Sequence, residues 1–377
     1  MAYLTYFDLV ESLIVSSYGG AQDAEQRDIR TAIHRAYDEL TTIRDWSYYH
    51  VHGRVITRAP VTATLGGLTD LSTGILETSG LGASDYTHVR IGDRIGEITC
   101  ADPGTNTLWT LSSSVTFPSG TVSSGDTATF YKSLYALPDD FRNLDEPSDE
   151  LNWWSGLYVT PDQAMKIERV SNSSGAPYHW TVLKDPSSSG WALKLIGYPT
   201  EVETIDFTYR RTARPIRYSG HEPALRQGTI ARSGVNVTGS GAAFSSAMVG
   251  SILRVGDTTN HPGPIESMTP WVSESKITAQ TTATALKTAD SGTIASTTKY
   301  LITDPMDVPQ HMHAALDSAC DYWLARIRGV KTDDAFGLYQ RDLRLAMEQD
   351  QLAPISGRSR YVWHDGGWRS PLMADVG

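Results

Sequence analysis

The chain of 377 residues carries a formal charge of −11 and is 40% hydrophobic, which allows roughly two or three domains around a sizeable core. That charge argues against a protein gripping DNA or RNA through many phosphate contacts, because such binding is driven by counterion release; an acidic lumen that repels phosphate still suits a passive DNA conduit. No run approaches the roughly 18 apolar residues of a membrane span, no basic-then-apolar leader opens the chain, and Cys100 and Cys320 fall in different regions, as expected of reduced thiols rather than a disulfide framework.

In chain order, a helix is predicted from about Thr5 to Ser17, carrying Phe7, Leu9, Val10, Leu13 and Ile14 and stopping at Gly19 and Gly20. The next helix, DAEQRDIRTAIHRAYDELTTIRDW, opens with Asp23 and Gln26 in capping-box spacing and carries a stripe of Ile29, Ile33, Ala36, Leu40 and Ile43. Strand alternation follows, with Tyr48, His50, His52 and Arg54 against Tyr49, Val51, Gly53 and Val55. His50 and His52 share a face, but without Cys, Asp or Glu at ligand spacing the pattern favours structure over metal binding.

From Pro60 to about Leu134, and again from Gly228 to Ile302, composition shifts to Thr, Ser, Gly and β-branched residues with frequent turn signals. The two stretches read as repeats. SGLGASDYTHVRIGD (Ser79 to Asp93) matches GSGAAFSSAMVGSILRVGD (Gly239 to Asp257), and Gly96-Glu97-Ile98 matches Gly263-Pro264-Ile265. TLWTLSSSV is paired with SKITAQTTA, and SGDTATFYK with SGTIASTTK. Each copy suits a small β-barrel or sandwich. Asp93 and Asp257 follow glycines, the composition of tight turns, and lack the further carboxylates of a calcium cage.

Between the copies lie YALPDDFRNLD and then WWSGLYVT, MKIERV, YHWTVLKD, WALKLIGYP and TIDFTYRR, read as strands of an antiparallel meander whose turns DPSSSG and YPTEVE fix local register. Trp153, Trp154, Trp180 and Trp191 could stack on sugars, although core or interface packing is the commoner role of large aromatics. Asp139, Asp140, Glu146, Asp149 and Glu150 form the densest acidic cluster, which surrounds Pro138 and Pro147 as a solvated turn would. No nucleophile elbow, zinc signature or phosphate loop is present; GSGAAF lacks the Lys-Ser/Thr ending of a nucleotide loop. No catalytic, cofactor or metal residues are therefore assigned.

A long helix is predicted over Asp307 to Arg328, with Asp307 as N-cap, Pro309 in the first turn, and a stripe of Met312, Ala315, Leu316, Ala319, Cys320, Trp323, Leu324 and Ile327 ending at Gly329. A second starts at Thr332, Asp333 and Asp334, with Phe336, Tyr339, Leu343, Ala346 and Met347 on one face. The core expected between the two chain ends is Ile33, Leu40, Leu316, Trp323 and Ile327.

The segments IRTAIHRAYDELTTIRDWSYY (Ile29 to Tyr49) and YALPDDFRNLD (Tyr135 to Asp145), followed by strands and a C-terminal helical pair, resemble head-to-tail adaptor proteins of tailed bacteriophages, also called connector or tail tubular proteins. The resemblance spans about two thirds of the chain on diffuse motifs, and the Thr/Ser-rich copies depart from it. It implies a helical bundle from both ends and β domains facing the tail; with the two β modules read above from composition, the expected fold is an α+β chain with that bundle, a central antiparallel β domain and two inserted β modules. The expected divisions are 1–50 for the N-terminal helices, 51–134 for the first module, 135–227 for the central domain, 228–302 for the second module, 303–353 for the C-terminal hairpin and 354–377 for an extended tail. It further implies a non-enzymatic virion protein without cofactor, assembled in the host cytoplasm. Its copies would form a dodecameric ring below the portal protein, bind a tail nozzle or tube protein and let viral DNA pass. The tail residues Arg358, Arg360, Tyr361, Trp363, Trp368, Arg369, Leu372 and Met373 combine arginines with large apolar groups, the composition of interface hot spots, and are the expected portal or subunit contacts. The alternatives are a β-rich tail-spike or glycan-binding protein and a glycan or peptidoglycan hydrolase using Asp139 or Glu146.

Overall fold

The computed structural model describes residues 3–16, 23–67, 69–70, 74–81, 83, 85–92, 94–105, 107–112, 123–145, 157–170, 179–185, 190–197, 201–264 and 267–351. Chain order runs α1 (Tyr6–Ser16), α2 (Asp23–Thr42), β1 (His50–Ile56), β2 (Val61–Thr64), β3 (Ile75–Glu77), β4 (His88–Ile91), β5 (Arg94–Cys100), β6 (Leu108–Leu111) and β7 (Thr127–Tyr131). Next come β8 (Leu134–Ala136), β9 (Phe141–Leu144), β10 (Leu157–Tyr158), α3 (Pro161–Val170), β11 (His179–Lys184), β12 (Trp191–Ile196) and β13 (Thr204–Arg211). The chain continues through β14 (Thr229–Ser240), β15 (Ile252–Val255), β16 (Ser273–Thr282), β17 (Ala285–Thr298), β18 (Tyr300–Thr303), α4 (His313–Ile327) and α5 (Asp333–Gln351). It is a mixed α+β protein with several antiparallel sheets, and none of its described helices is long and apolar enough to cross a membrane.

The described residues divide into two compact units, one holding the chain up to Tyr49 and again from Ala213, the other His50–Thr212. In the first, α1 begins with a reciprocal cap. Thr5 N–H and Oγ1–H donate to Asp8 Oδ2 at 3.0 and 2.8 Å, and Asp8 N–H donates back to Thr5 Oγ1 at 3.4 Å. One apolar cluster joins Leu9 and Leu13 of α1, Ile29, Ile33 and Leu40 of α2, Leu316 and Cys320 of α4, and Tyr339 and Ala346 of α5. Ala32 and Ala36 on α2, like Ala315 and Ala319 on α4, are fully buried, and such small side chains let two helix backbones approach closely. The end of α4 is fixed by Gly329 at φ +67, where Gly329 N–H donates to Arg326 O at 3.3 Å and Val330 N–H to Ala325 O at 3.0 Å, a Schellman stop.

The start of α4 differs from expectation. Pro309 is extended, residues Gln310–Met312 form a 3-10 turn, and the α-helix begins at His313. Asp307 does not cap it: its carboxylate accepts from Tyr48 Oη–H at 2.9 Å and Arg214 N–H at 3.0 Å. Ile33, Leu40 and Leu316 are wholly buried, whereas Trp323 and Ile327 are only partly buried against the same cluster. Trp323 sits at the edge because its indole N–H must reach Glu39 Oε2 at 2.6 Å, with the guanidinium groups of Arg35 and Arg326 at 5.3 and 4.8 Å from its ring. Ile43 and Phe336, expected in the stripes, are 46% and 41% exposed; α2 has ended at Thr42, and Phe336 instead lies 5.2 Å from the Tyr322 ring.

This unit also holds a sheet of order β14-β17-β16-β15-β18, with Ile230, Val237, Leu253, Ile277, Leu286, Tyr300 and Ile302 in its core. The second unit contains three sheets, β1-β13-β9, β10-β11-β12-β8 and β2-β7-β4-β5-β6-β3. β1 pairs with β13 from His50↔Arg210 to Ile56↔Thr204. β13 is therefore occupied by β1 and β9, and the expected register across YPTEVE does not form; the hairpin through DPSSSG does, as β11 with β12. MKIERV is not a strand but the second half of α3. Thr160 N–H donates to Gln163 Oε1 at 3.3 Å and Gln163 N–H to Thr160 Oγ1 at 3.4 Å, and Pro161 occupies the first helical position, so capping overrides the apparent alternation.

The HVRI strand β4 lies between β5 and β7, and the ILRV strand β15 lies between β16 and β18. A further pair also corresponds: β3 with β6 resembles β14 with β17 at Val237↔Leu286. This pairing equates β5 with β16 and so corrects the sequence matching, which set TLWTLSSSV against SKITAQTTA. β5 follows β4 directly, as Ile91↔Arg94 shows, while residues 256–272 separate β15 from β16 and displaced the matched spacing.

Candidate functional site: a cationic groove above an ionic junction

Two buried ionic clusters flank the sheet of the first unit, and one of them joins it to α1. Arg254, fully buried in β15, donates from Nη1 and Nη2 to Asp8 Oδ1 and Oδ2 at 2.6 and 2.8 Å. Its Nε lies 3.3 Å from Glu274 Oε2, Nη2 also donates to Tyr3 O at 3.1 Å, and the guanidinium covers the Trp271 ring at 3.9 Å. A guanidinium out of water is tolerated because its fork is matched by a carboxylate and its face by an aromatic ring. Asp8 thus caps α1 and neutralises Arg254 at once. In the second cluster, buried Asp304 accepts from Ser251 Oγ–H at 2.6 Å, Arg217 N–H at 2.6 Å and Tyr218 N–H at 2.8 Å, and pairs with Arg214 Nη2 at 3.2 Å. Gly250 is required beside it: φ is +88, and a Cβ there would stand 1.8 Å from Arg214 Nη1.

Beside these clusters, Gln26, Arg27, Arg30, Thr31 and His34 of α2 face His221, Glu222 and Pro223 across a groove of ≈ 640 Å³. Ser219 Oγ–H donates to the Glu222 carboxylate at 2.9 Å, which orients it toward Arg30 Nη1 at 3.2 Å. His221 stacks on Phe7 with ring centroids 4.8 Å apart, and its Nε2 lies 3.4 Å from Glu11 Oε1 without forming a hydrogen bond. Burial first, then the charges of Arg226 and Arg30, push the His221 pKa down to about 4, so the ring is neutral at neutral pH. Burial raises the Glu11 carboxyl, an effect opposed by Arg226. The buried Arg30 Nε has no hydrogen-bond partner.

The tail residues expected at a portal or subunit contact, Arg358, Arg360, Tyr361, Trp363, Trp368, Arg369, Leu372 and Met373, lie outside the described residues. So do Asp93, Trp153, Trp154, Glu146, Asp149 and Glu150. Asp257 accepts at Oδ1 from Thr259 N–H at 2.6 Å and from Asn260 N–H; these turn bonds hold its carboxyl below the usual range. Trp180 is 5% exposed within the second unit's core, so it cannot serve as a sugar platform, and Trp191 packs against Phe141 with Lys184 5.7 Å from its ring. Asp140 accepts from Tyr209 Oη–H at 2.7 Å.

His50 and His52 each meet a carboxylate that their local sequence did not reveal: Asp145 lies 2.7 Å from His50 Nδ1, and Asp206 lies 3.8 Å from His52 Nε2 while bonded to Arg54. No group of three or more His, Cys, Asp or Glu side chains suited to a metal gathers among the described residues. The groove itself was missed because its walls lie in α2 and in residues 221–223; the three-and-four spacing of Arg27, Arg30 and His34 was its one visible trace.

Comparison with known proteins finds no matching family model, no similar curated protein and no similar solved structure.

Proposed function

We propose that the chain is a structural virion subunit, a head-to-tail adaptor whose copies form a ring below a phage portal and extend the DNA channel toward tail components. In this reading α1, α2, α4 and α5 act as one bundle built from both chain ends, the sheets around β4 and β15 are two copies of a small β module, and the sheets around β12 and β13 form the central domain. The observation that supports it most is the apolar cluster shared by helices from both ends, fastened through Arg254–Asp8 to the sheet that contains β15. A subunit that bridges two assemblies needs its terminal helices held firmly to the sheet around β15, and buried ionic contacts specify such docking. The acidic charge suits a channel wall that does not trap DNA. The reading involves no catalytic step or cofactor.

The test is native mass spectrometry of the full chain, alone and mixed with portal rings from candidate tailed phages. A dodecamer mass on a portal supports the proposal; a chain that stays monomeric and binds no portal removes it. Deleting residues 354–377 should leave both units folded and block incorporation below the portal.

A further inference from the structure

We infer that the groove between α2 and residues 221–223 receives a carboxylate from a second copy of this chain, making it one half of a heterologous subunit contact; the inference rests on the ring reading above. Arg27, Arg30 and His34 recur at three- and four-residue steps along α2, so they line one side of the groove together. Glu222 is the carboxylate among the lining residues, and it engages Arg30. Arg27 is exposed and forms no ion pair among the described residues. The groove is therefore locally cationic in a chain whose net charge is −11.

That contrast argues for the occupant. Another copy presents exposed carboxylates at Asp38, Asp333 and Asp334, and opposite charges steer such surfaces together. A nucleic-acid duplex is the poorer match, because a space of ≈ 640 Å³ admits a side chain rather than a duplex. A guanidinium forks onto a carboxylate through two parallel N–H groups, and Arg30 retains donor capacity beyond the single contact to Glu222. Groove and acidic surface are different patches, the arrangement that generates rings when the rotation closes.

The test compares wild type with Arg27→Glu, whose exposed position leaves the fold intact, by native mass spectrometry and thermal melting at low and high salt. We expect unchanged melting and about a tenfold or greater weakening of subunit association in the variant, with wild-type association itself falling as salt rises. Wild-type assembly by Arg27→Glu overturns the inference and leaves the ring reading standing; a wild-type chain that never associates, even on a portal, overturns both. A third arm titrates a short DNA duplex. Duplex binding that Arg27→Glu abolishes without changing assembly would assign the groove to phosphate and overturn the inference.

Discussion

Acidification tests the packing around His88. This residue is 5% exposed, its Nδ1 lies 2.9 Å from Thr87 Oγ1 and 2.8 Å from Ser133 Oγ, and its ring stacks on Tyr131. Burial, aided by the charge of Lys194, pushes its pKa down to about 3 from the ordinary 6.5. The folded pKa is the lower one, so the unfolded chain binds the proton first. The stability this residue supports is complete above about pH 6.5 and is lost as pH falls from there toward about 3. At about 1.4 kcal/mol per unit, the loss is about 2–3 kcal/mol by about pH 4.5 and approaches about 4–5 kcal/mol at the lower limit. The assay is urea unfolding of wild type and His88→Gln across this range, read by protection of the Val89 and Phe130 amides, which belong to the paired strands β4 and β7. Glutamine keeps a polar partner for Ser133 but cannot titrate, so between about pH 6.5 and about pH 4.5 the variant should lose about 2–3 kcal/mol less than wild type. Parallel loss in both proteins would refute the assignment of a neutral, proton-excluding His88.

Arg254→Met should destabilise the first unit by about 3–5 kcal/mol, because it strands Asp8 and Glu274; adding Asp8→Asn should recover part of the loss in a double-mutant cycle by urea denaturation. Trp323→Ala should cost about 1–2 kcal/mol rather than the larger loss of a fully buried tryptophan, since the side chain stands at the edge of the cluster; calorimetry distinguishes the two. Gly250→Ala should lower stability by about 1–3 kcal/mol through positive φ and collision with Arg214, and Arg214→Ala should relieve the collision while unpairing Asp304, so the two losses will not add.

The helices were legible because periodicity and end signals agreed. Ile29, Ile33, Ala36 and Leu40 share a face, and Gly329 stops α4 where the stripe stops. α3 was misread although Thr160 and Gln163 carried the capping signature, because MKIERV taken alone alternates like a strand. The partners of β13 could not be read locally: a strand joins whichever edge is free in three dimensions, and β1 precedes β13 by about 150 residues. Arg254 had a faint signal, being a charged group inside a short strand of otherwise apolar residues, ILRV, whereas His88 shares its strand with Arg90 and did not stand out. Such an interruption implies a buried partner without naming it, and Asp8 lies 246 positions from Arg254.

That separation bears on synthesis. The N-terminal helix leaves the ribosome before the strand that supplies Arg254, and α2 emerges with Ile29, Ile33 and Leu40 bare long before α4 exists to cover them. At about 5–20 residues per second, these apolar faces wait roughly 15 seconds or more for their partner, and no early local contact can replace it. The His50–Thr212 unit, uninterrupted in sequence, can be complete first. The first unit closes only after α4 has been made, so a chain stopped within α4 would carry one finished unit and an uncovered α2.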